Sequence, residues 1–259
     1  MLMQARVVEN RTVGRQSFVL RLAGCDALGS ASPGQFVMVR GEWQRDPLLP
    51  RAFSILRTLA GGECELLGKA IGRGTRLLAA LCTGAQLSLL GPLGRPFPAP
   101  QPGRKEILVA GGVGLAPLLW HAERARTVGT AAHLFYGARS AQDLVLLDEI
   151  GRTGCALTLA TEDGSQGARG RVTDALKVHL SGQPASAALY SCGPSAMMRQ
   201  VAALANAHHL DCMVSVEGEM ACGFGVCLGC AVPTRDPARP FVYACTDGPV
   251  FDAAGIEIP

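Results

Sequence analysis

Four cysteines near the C-terminal end of the sequence have the type and the spacing of iron ligands. Cys222, Cys227 and Cys230 follow a C-x4-C-x2-C pattern, and Cys245 comes after fourteen further residues. Four thiolates with this spacing ligate a 2Fe–2S cluster, which carries one electron at a time. The pattern therefore predicts electron transfer, with these four cysteines as the metal ligands.

Two other interpretations of the cysteines stay open at the level of sequence. A structural zinc site more often has two C-x2-C pairs, whereas this segment has one, between Cys227 and Cys230. The four side chains could also be unreactive buried thiols. The intervening glycines favour the cluster, because Gly223, Gly225 and Gly229 let the backbone wrap closely around a small inorganic core.

Two turns that follow predicted strands have the composition of a dinucleotide site. The first contains Gly111, Gly112, Gly114 and Pro117, and the second contains Cys192, Gly193 and Pro194. Glycines in such turns let the backbone approach a pyrophosphate, and open α/β sheets bind ligands at the carboxyl ends of their strands. The first turn is not a GxGxxG sequence, so a tight turn without a ligand remains an alternative. Cys192 is either a redox thiol beside the ligand or a small buried residue.

The N-terminal region contains two short motifs that suit a phosphate-bearing cofactor. Arg51 can pair with a pyrophosphate, and the Ser54 hydroxyl can donate to a flavin ring nitrogen. Gly74 and Thr75 can offer a backbone N–H and a hydroxyl to phosphate. Each motif alone is also compatible with an ordinary strand or turn.

The elements that must position these motifs fall into three regions. Residues 1–100 contain short alternating segments punctuated by glycine and proline, which predicts an antiparallel β-barrel. Residues 101–211 alternate strands with helices, which predicts a doubly wound parallel sheet. Residues 212–259 form the cluster-binding region, and Met213–Val216 is predicted as the last strand of the sheet. The predicted helices are Leu115–Val128, Gln142–Ile150, Arg171–His179 and Ser195–His208.

Composition excludes several other classes of protein. The chain has 259 residues, of which 48% are hydrophobic, so it can build more than one core. The net charge is +3, without a block of Lys and Arg, which argues against nucleic-acid binding. The N-terminus lacks a secretory segment, and the apolar run 107–120 is too short and too rich in glycine to cross a membrane. We therefore expect a cytoplasmic protein with reduced thiols.

The order of the motifs resembles the ferredoxin–NADP reductase superfamily, which pairs an antiparallel FAD barrel with a nicotinamide-binding α/β domain. PGQFV at 33–37 is followed by R-x-F-S, GxGT, GGVGxAP and CGP. Together with EGEMACGFGVCLGC and CTDGPVFDA, these motifs resemble the electron-transfer subunits of two-subunit, NAD-dependent dihydroorotate dehydrogenases. The resemblance covers nearly the whole chain.

The resemblance implies three cofactors, namely FAD, a 2Fe–2S cluster and NAD. It assigns FAD to Arg51, Ala52, Phe53, Ser54, Leu67, Gly68, Lys69, Gly74 and Thr75. It assigns the nicotinamide site to Gly111, Gly112, Gly114, Pro117, Cys192, Gly193 and Pro194. The family commonly has proline where Ala52 stands, and an aromatic residue and arginine near Gly68 and Lys69, so the flavin contacts differ in detail.

The resemblance also implies an oxidoreductase function in pyrimidine biosynthesis. A catalytic partner would oxidise dihydroorotate on its FMN, and electrons would pass through the cluster and FAD of this chain to NAD+. The assembly would be a heterotetramer with two subunits of each kind. Two alternatives remain: a reductase subunit for a sulfide dehydrogenase, transhydrogenase or oxygenase, and a non-enzymatic zinc-binding regulator. NAD and NADP are not distinguished, because Arg139 could contact a ribose or a 2′-phosphate.

Overall fold

The N-terminal unit is a closed, six-stranded antiparallel barrel. The computed structural model describes residues 1–43, 46–182 and 187–259. The barrel strands are β1 (Leu2–Gly14), β2 (Ser17–Ala23), β3 (Phe36–Gly41), β4 (Arg51–Leu59), β5 (Glu63–Lys69) and β6 (Gln86–Leu93). They pair in the order β1-β2-β5-β4-β3-β6, and β6 closes the barrel onto β1. A short helix, α1 (Arg73–Ala79), lies between β5 and β6. The predicted barrel is confirmed.

Alternating side chains drive this closure. In β1, Met3, Ala5 and Val7 point into the barrel core, whereas their neighbours along the strand are exposed or half-buried. Successive side chains of a strand point to opposite faces, so one apolar row fills the interior and a polar row meets solvent.

The second unit is built on a seven-stranded sheet with helices on both faces. Its elements are β7 (Lys105–Gly111), α2 (Leu115–Thr127), β8 (Ala132–Ala138), α3 (Leu147–Thr153), β9 (Ala156–Thr161), β10 (Ala168–Arg169), α4 (Val172–Leu180), β11 (Ala187–Cys192), α5 (Ser195–Ala207) and β12 (Asp211–Ser215). The remaining strands are β13 (Ala231–Pro233), β14 (Phe241–Tyr243) and β15 (Val250–Asp252).

The strand order of the sheet reverses between the strands that precede the two predicted glycine-bearing turns. This position is the switch point of the sheet. The strands lie in the order β10-β9-β8-β7-β11-β12-β15. Chain order runs outward in one direction from β7 through β8 to β9, and in the other direction from β11 to β12. It therefore reverses between β7 and β11, which is where open α/β sheets form their ligand crevice. The predicted fold class, a barrel followed by a doubly wound domain, is confirmed.

Two predicted elements are wrong in detail. The segment predicted as the helix Gln142–Ile150 instead contains a 3-10 turn at Ala141–Asp143 and then α3. Leu146 has a φ of 57°, in the left-handed region, so a continuous helix cannot pass through it. The strand predicted at Met213–Val216 is β12, but it is not the last one, because β15 pairs antiparallel with it.

The cysteine-rich segment is therefore joined to the second unit by a shared sheet. The strand β12 crosses the predicted domain boundary at 211 and 212, and β15 returns from the cysteine-rich segment to the sheet edge. Within the ranges described above, no helix combines the length and apolar character needed to cross a membrane.

Candidate functional site

The four cysteines lie in the segment that connects β12 to β15. Cys222, Cys227 and Cys230 lie in the loop before the β13–β14 hairpin, and Cys245 follows the hairpin. The backbone N–H of Ala244 donates to the carbonyl oxygen of Cys230 at 3.0 Å, so the hairpin brings the last two cysteines side by side. Strand pairing thus makes neighbours of Cys230 and Cys245, which are fifteen positions apart in the sequence.

The four sulfurs form two pairs. The backbone N–H of Cys227 donates to Cys222 Sγ at 3.4 Å. Burial acts to raise the pKa of Cys222, but backbone N–H groups of Cys227, Phe224 and Val226 lower it to about 6. In the other pair, burial and a hydrogen bond with Cys230 raise the pKa of Cys245 to about 12. The loop therefore supplies N–H donors to the Cys222 sulfur.

The pairing of the cysteines fits a two-iron cluster. A 2Fe–2S cluster takes two thiolates at each iron, which matches the two cysteine pairs. The loop conformation also requires glycine, since Gly223 and Gly225 have φ values of 83° and 86°.

The loop that carries Cys222, Cys227 and Cys230, here called the cysteine loop, packs directly against β3. This strand is the neighbour of β4, which carries the R-x-F-S motif. A Cβ atom at Gly223 would lie 2.5 Å from Met38 Cγ, which shows how closely the loop approaches β3. Met38 pairs with Ala52 across β3 and β4, so the two residues share a face of the barrel. The cysteine loop and the R-x-F-S motif are therefore adjacent, although about 170 residues separate them along the chain.

On the barrel, Arg51 and Gly74 come together as a candidate pyrophosphate site. A Cβ atom at Gly74 would lie 2.7 Å from Arg51 Nε and 2.8 Å from its Nη2, so the guanidinium rests against the first turn of α1. First-turn N–H groups of a helix have no intrahelical partner and can donate to an anion. The Thr75 hydroxyl oxygen accepts from the N–H groups of Gly72 and Ile71, at 3.0 and 3.1 Å.

The other predicted flavin residues occupy different environments. Gly68 is confined by aromatic rings, since its Cβ would lie 2.5 Å from Phe53 Cε1 and 2.6 Å from Phe18 Cζ. Leu67 is buried, whereas Ala52 is exposed and Ser54 is half-buried. The ammonium group of Lys69 donates to Asp143 Oδ1 at 3.1 Å, and so turns towards the second unit. These flavin assignments stay predictions.

The Lys69–Asp143 pair should lose its stabilising effect in acid. Burial acts to raise the pKa of Asp143, but the Lys69 ammonium and the Ser140 hydroxyl lower it below its usual value. A carboxyl with a lowered pKa stabilises the fold above its unfolded pKa of about 3.9, and loses this effect as pH falls through the folded pKa. Lys69→Met should lower the free energy of unfolding by up to about 1 kcal/mol at pH 7. Urea denaturation should show that this difference persists to pH 5 and shrinks below pH 4.

Lys177→Met is the matched control for that measurement, because Lys177 is exposed on α4 and forms no ion pair among the described residues. A Lys69 variant that matches this control at every pH would contradict the expectation.

The two glycine-bearing turns meet at the switch point of the sheet. They follow β7 and β11, which are adjacent and parallel. A Cβ atom at Gly114 would lie 2.4 Å from the carbonyl oxygen of Cys192, and one at Gly193 would lie 2.9 Å from Gly111 Cα. In contrast, Gly112 has a φ of 55° and open space where a Cβ would point. The turns thus pack backbone to backbone and leave room for a ligand in front of Gly112.

Two of the predicted nicotinamide-site residues are buried. Pro117 is buried within α2. Cys192 is 1% exposed, and burial raises the pKa of its thiol well above the usual value. A buried protonated thiol is a poor redox nucleophile, so the structure favours the small-residue interpretation of Cys192.

A separate cavity of about 360 Å³ lies at the opposite edge of the sheet. Its lining includes Lys105, His133, His179 and His208, at the amino ends of strands and the carboxyl ends of helices. Burial lowers the pKa of His133 and of His179, and His133 Nε2 forms a hydrogen bond with Thr158 Oγ1 at 2.9 Å, so packing accounts for these two histidines without a ligand. Since α/β sheets bind cofactors at the carboxyl edge, the glycine-bearing turns remain the candidate site.

Sequence reasoning missed the residues that join the two units. Arg11 and Arg57 of the barrel contact Glu149 of α3, each at 2.6 Å. Their signal in the sequence is weak, because isolated charges are common in strands and helices. Only their positions in the fold bring them together.

The fold and these sites define a class of protein, the flavin- and nicotinamide-linked reductases with an added iron–sulfur segment. Residues 217–257 match the family model "Iron-sulfur cluster binding domain of dihydroorotate dehydrogenase B". Residues 108–203 match the model "Oxidoreductase NAD-binding domain". These matches confirm that the chain contains an iron–sulfur cluster binding domain and an NAD-binding domain, whereas the predicted domain bounds stay predictions.

Full-length relatives then identify the family. The dihydroorotate dehydrogenase B (NAD(+)) electron transfer subunit of Desulforamulus reducens is 33% identical over 249 residues, covering 95% of each chain. The corresponding subunit of Bacillus velezensis is 34% identical over 256 residues, covering 97% of each. This chain belongs to the family of dihydroorotate dehydrogenase B electron transfer subunits.

Solved structures of other oxidoreductases share the fold of this chain. A structure of an NADH-dependent reduced ferredoxin-NADP oxidoreductase, described in the context of flavin-based electron bifurcation, aligns with a TM-score of 0.86 and 26% identity. The alignment covers 98% of this chain and 89% of that chain. A ferredoxin reductase of carbazole 1,9a-dioxygenase aligns over 81% of this chain and 66% of its own, with a TM-score of 0.70 and 24% identity, and shares the fold.

Proposed function

We propose that this chain transfers electrons between a catalytic dihydroorotate dehydrogenase subunit and NAD+. One observation carries the proposal: the cysteine loop packs on β3 beside the R-x-F-S motif, through Gly223 and Met38. When bound, FAD exchanges electron pairs with nicotinamide and single electrons with an iron–sulfur cluster. A chain that holds the cysteine ligands next to its flavin motif is suited to connect these two kinds of transfer.

Each group of residues has a distinct task in this proposal. Cys222, Cys227, Cys230 and Cys245 would hold the cluster, with backbone N–H groups around Cys222 stabilising negative charge on sulfur. Arg51 and the first turn of α1 would bind the FAD pyrophosphate, and Ser54 would orient the flavin ring by a hydrogen bond. The turns at Gly112 and Gly193 would position NAD+ at the switch point of the sheet. Residues 1–100, 101–211 and 212–259 remain our proposed flavin, nicotinamide and cluster regions.

We further propose that the partner is an FMN-containing catalytic subunit and that two copies of each subunit form a heterotetramer. The cysteine loop offers a docking surface made of Phe224, Val226 and Leu228. Their side chains are 56%, 71% and 53% exposed, beside the exposed Cys227. Apolar side chains at this exposure favour burial by a partner. Docking there would bring the partner's redox group close to the cluster ligands.

Phe224→Asp should weaken binding of the catalytic subunit at least tenfold. A buried phenylalanine contributes about 1.5–3 kcal/mol, and about 1.4 kcal/mol corresponds to a factor of ten in affinity. Isothermal titration calorimetry with the purified partner measures the effect. Phe241→Asp is the matched control, because Phe241 is 53% exposed but lies on the β13–β14 hairpin. Equal affinities for the two variants, with unchanged cluster absorbance, would argue against this docking surface.

The proposed function is tested by purifying the chain with its catalytic partner. We expect the complex to contain FAD, FMN, iron and inorganic sulfide, and to couple dihydroorotate oxidation to NAD+ reduction. Material that holds neither iron nor sulfide after anaerobic reconstitution, or that holds stoichiometric zinc instead, would refute the proposal. Analytical ultracentrifugation of the same complex tests the heterotetramer.

A reductase role with a different partner is the second candidate. It is favoured by the 0.86 TM-score to the NADH-dependent reduced ferredoxin-NADP oxidoreductase structure. The two candidates separate in one experiment, in which the loaded chain is mixed with the dihydroorotate-oxidising subunit or with ferredoxin. Electron transfer with ferredoxin alone would support the second candidate.

A further inference from the structure

One strand and one helix carry cofactor motifs at one end and a shared ion-pair cluster at the other. Strand β4 begins with the R-x-F-S motif at Arg51 and reaches Arg57 near its end. Helix α2 begins directly after the turn Gly111–Gly114 and reaches Glu123 in its third turn. We propose that Arg57, held by Glu123 and Glu149, is a positioning residue that fixes the nicotinamide turn relative to the flavin strand. The inference rests on the proposed function.

The contacts of Arg57 cross from the barrel to the second unit. Its Nη2 donates to Glu149 Oε2 at 2.6 Å and lies 3.1 Å from Glu123 Oε1. Its Nη1 lies 3.6 Å from Glu65 Oε2, within the barrel. Arg11 reaches the other carboxylate oxygen of Glu149, at 2.6 Å. One guanidinium therefore links β4 to both α2 and α3.

Apolar packing joins the same two elements. Trp120 of α2 is 5% exposed and lies in the barrel core with Phe53 of β4. Leu56 of β4 is fully buried in the core of the second unit, with Leu115 and Leu119 of α2. Each element thus inserts a side chain into the core of the other. This packing brings the strand and helix together, and the ion pairs fix how far one slides along the other.

The polar cluster is poorly arranged for stability alone. Arg57 Nε and Glu65 Oε2 are buried and have no hydrogen-bond partner among the described residues. Three carboxylates surround two guanidiniums, and burial raises the pKa of both Glu65 and Glu123. A buried ionic cluster of this kind contributes little net stability, because desolvation offsets the attraction between charges. Its directional contacts can still fix orientation.

Orientation matters because hydride transfer depends steeply on distance. A displacement of about 1 Å between reacting groups can lower a rate by about 100-fold. Releasing Arg57 would let α2 shift relative to β4, and the turn Gly111–Gly114 would move with the helix. In the proposed site NADH contacts mainly the two turns, which pack against each other and would shift together, so the effect should fall on the rate rather than on affinity.

The test uses the chain loaded with FAD and its cluster, with Arg57 replaced by methionine to keep the apolar stem. Anaerobic stopped-flow mixing with NADH measures the limiting rate of flavin reduction and the dissociation constant of NADH. We expect the limiting rate to fall at least tenfold, with the dissociation constant within twofold of wild type and full FAD content. Hydrogen–deuterium exchange of the unloaded chain should become faster in α2 and at the end of β4.

Arg21→Met is the matched control. Arg21 forms an ion pair of equal length, 2.6 Å, with Glu63, but both residues lie within the barrel. We expect this variant to keep the wild-type rate and exchange pattern. An unchanged rate in Arg57→Met, or an equal loss in Arg21→Met, would overturn the inference.

Two further outcomes separate the inference from its assumptions. If Arg57→Met does not fold, Glu123→Gln keeps the shape of the side chain and removes its charge, and an unchanged flavin-reduction rate in that variant would overturn the inference. If NADH does not reduce the flavin of the wild-type chain, the proposed function fails first, whereas normal wild-type reduction leaves only the positioning role under test.

Discussion

Replacing Cys227 with serine is expected to abolish NAD-linked dihydroorotate oxidation by the complex, with a loss of at least 100-fold. Cys227 is exposed, and its N–H donates to Cys222 Sγ, so it lies at the outer pair of sulfurs. A serine hydroxyl is a harder and less acidic ligand than a thiol, so iron–sulfur ligation at this position should fail. NADH-dependent reduction of ferricyanide by the isolated chain should continue, because electrons from NADH would reach the flavin without passing through the cysteine loop.

Cys82→Ser serves as the control for that substitution. Cys82 is also an exposed thiol, but it lies in the barrel between α1 and β6. Iron content, cluster absorbance and both activities should match those of wild type. NAD-linked dihydroorotate oxidation that persists unchanged in Cys227→Ser would show that electrons do not travel through this cluster.

Replacing Arg51 with methionine should lower the affinity for FAD by 10- to 100-fold. The Arg51 guanidinium rests against Gly74, within 2.8 Å of where a Cβ would lie. Hydrogen bonds from a charged donor contribute about 1.5–3 kcal/mol, which corresponds to that range of affinity. Methionine keeps the apolar stem, so the change isolates the charge and its hydrogen bonds. Quenching of free FAD fluorescence on titration into the unloaded chain measures the dissociation constant.

Arg73→Met provides the comparison for Arg51→Met. Arg73 begins α1 beside Gly74, but its side chain is exposed and pairs with Asp46. General loss of positive charge near α1 would affect both variants alike. If Arg51 binds the pyrophosphate, only Arg51→Met should lose affinity for FAD. Equal FAD affinities in the two variants would show that Arg51 is not part of the site.

Local sequence patterns predicted the regular elements well. Alternation of apolar residues indicated the barrel, and the six strands β1–β6 close it. Helix α5 lies within one residue of its predicted range, Ser195–His208. These predictions succeed because periodicity records which face of an element is buried. The helix predicted at Gln142–Ile150 failed because the left-handed conformation of Leu146 has no signature in the apolar pattern.

The sequence by itself determined the chemistry of this protein, because ligand type and spacing follow from the cysteines and glycine-bearing turns alone. Only the tertiary structure decided how these parts meet. It closed the sheet edge with β15, placed Gly223 against Met38, and brought Arg57 to Glu149, 92 residues away. Such contacts depend on packing between segments that are distant in the sequence, and local hydrophobic periodicity does not encode them. Their geometry is therefore set by the folded cores and not by any local motif.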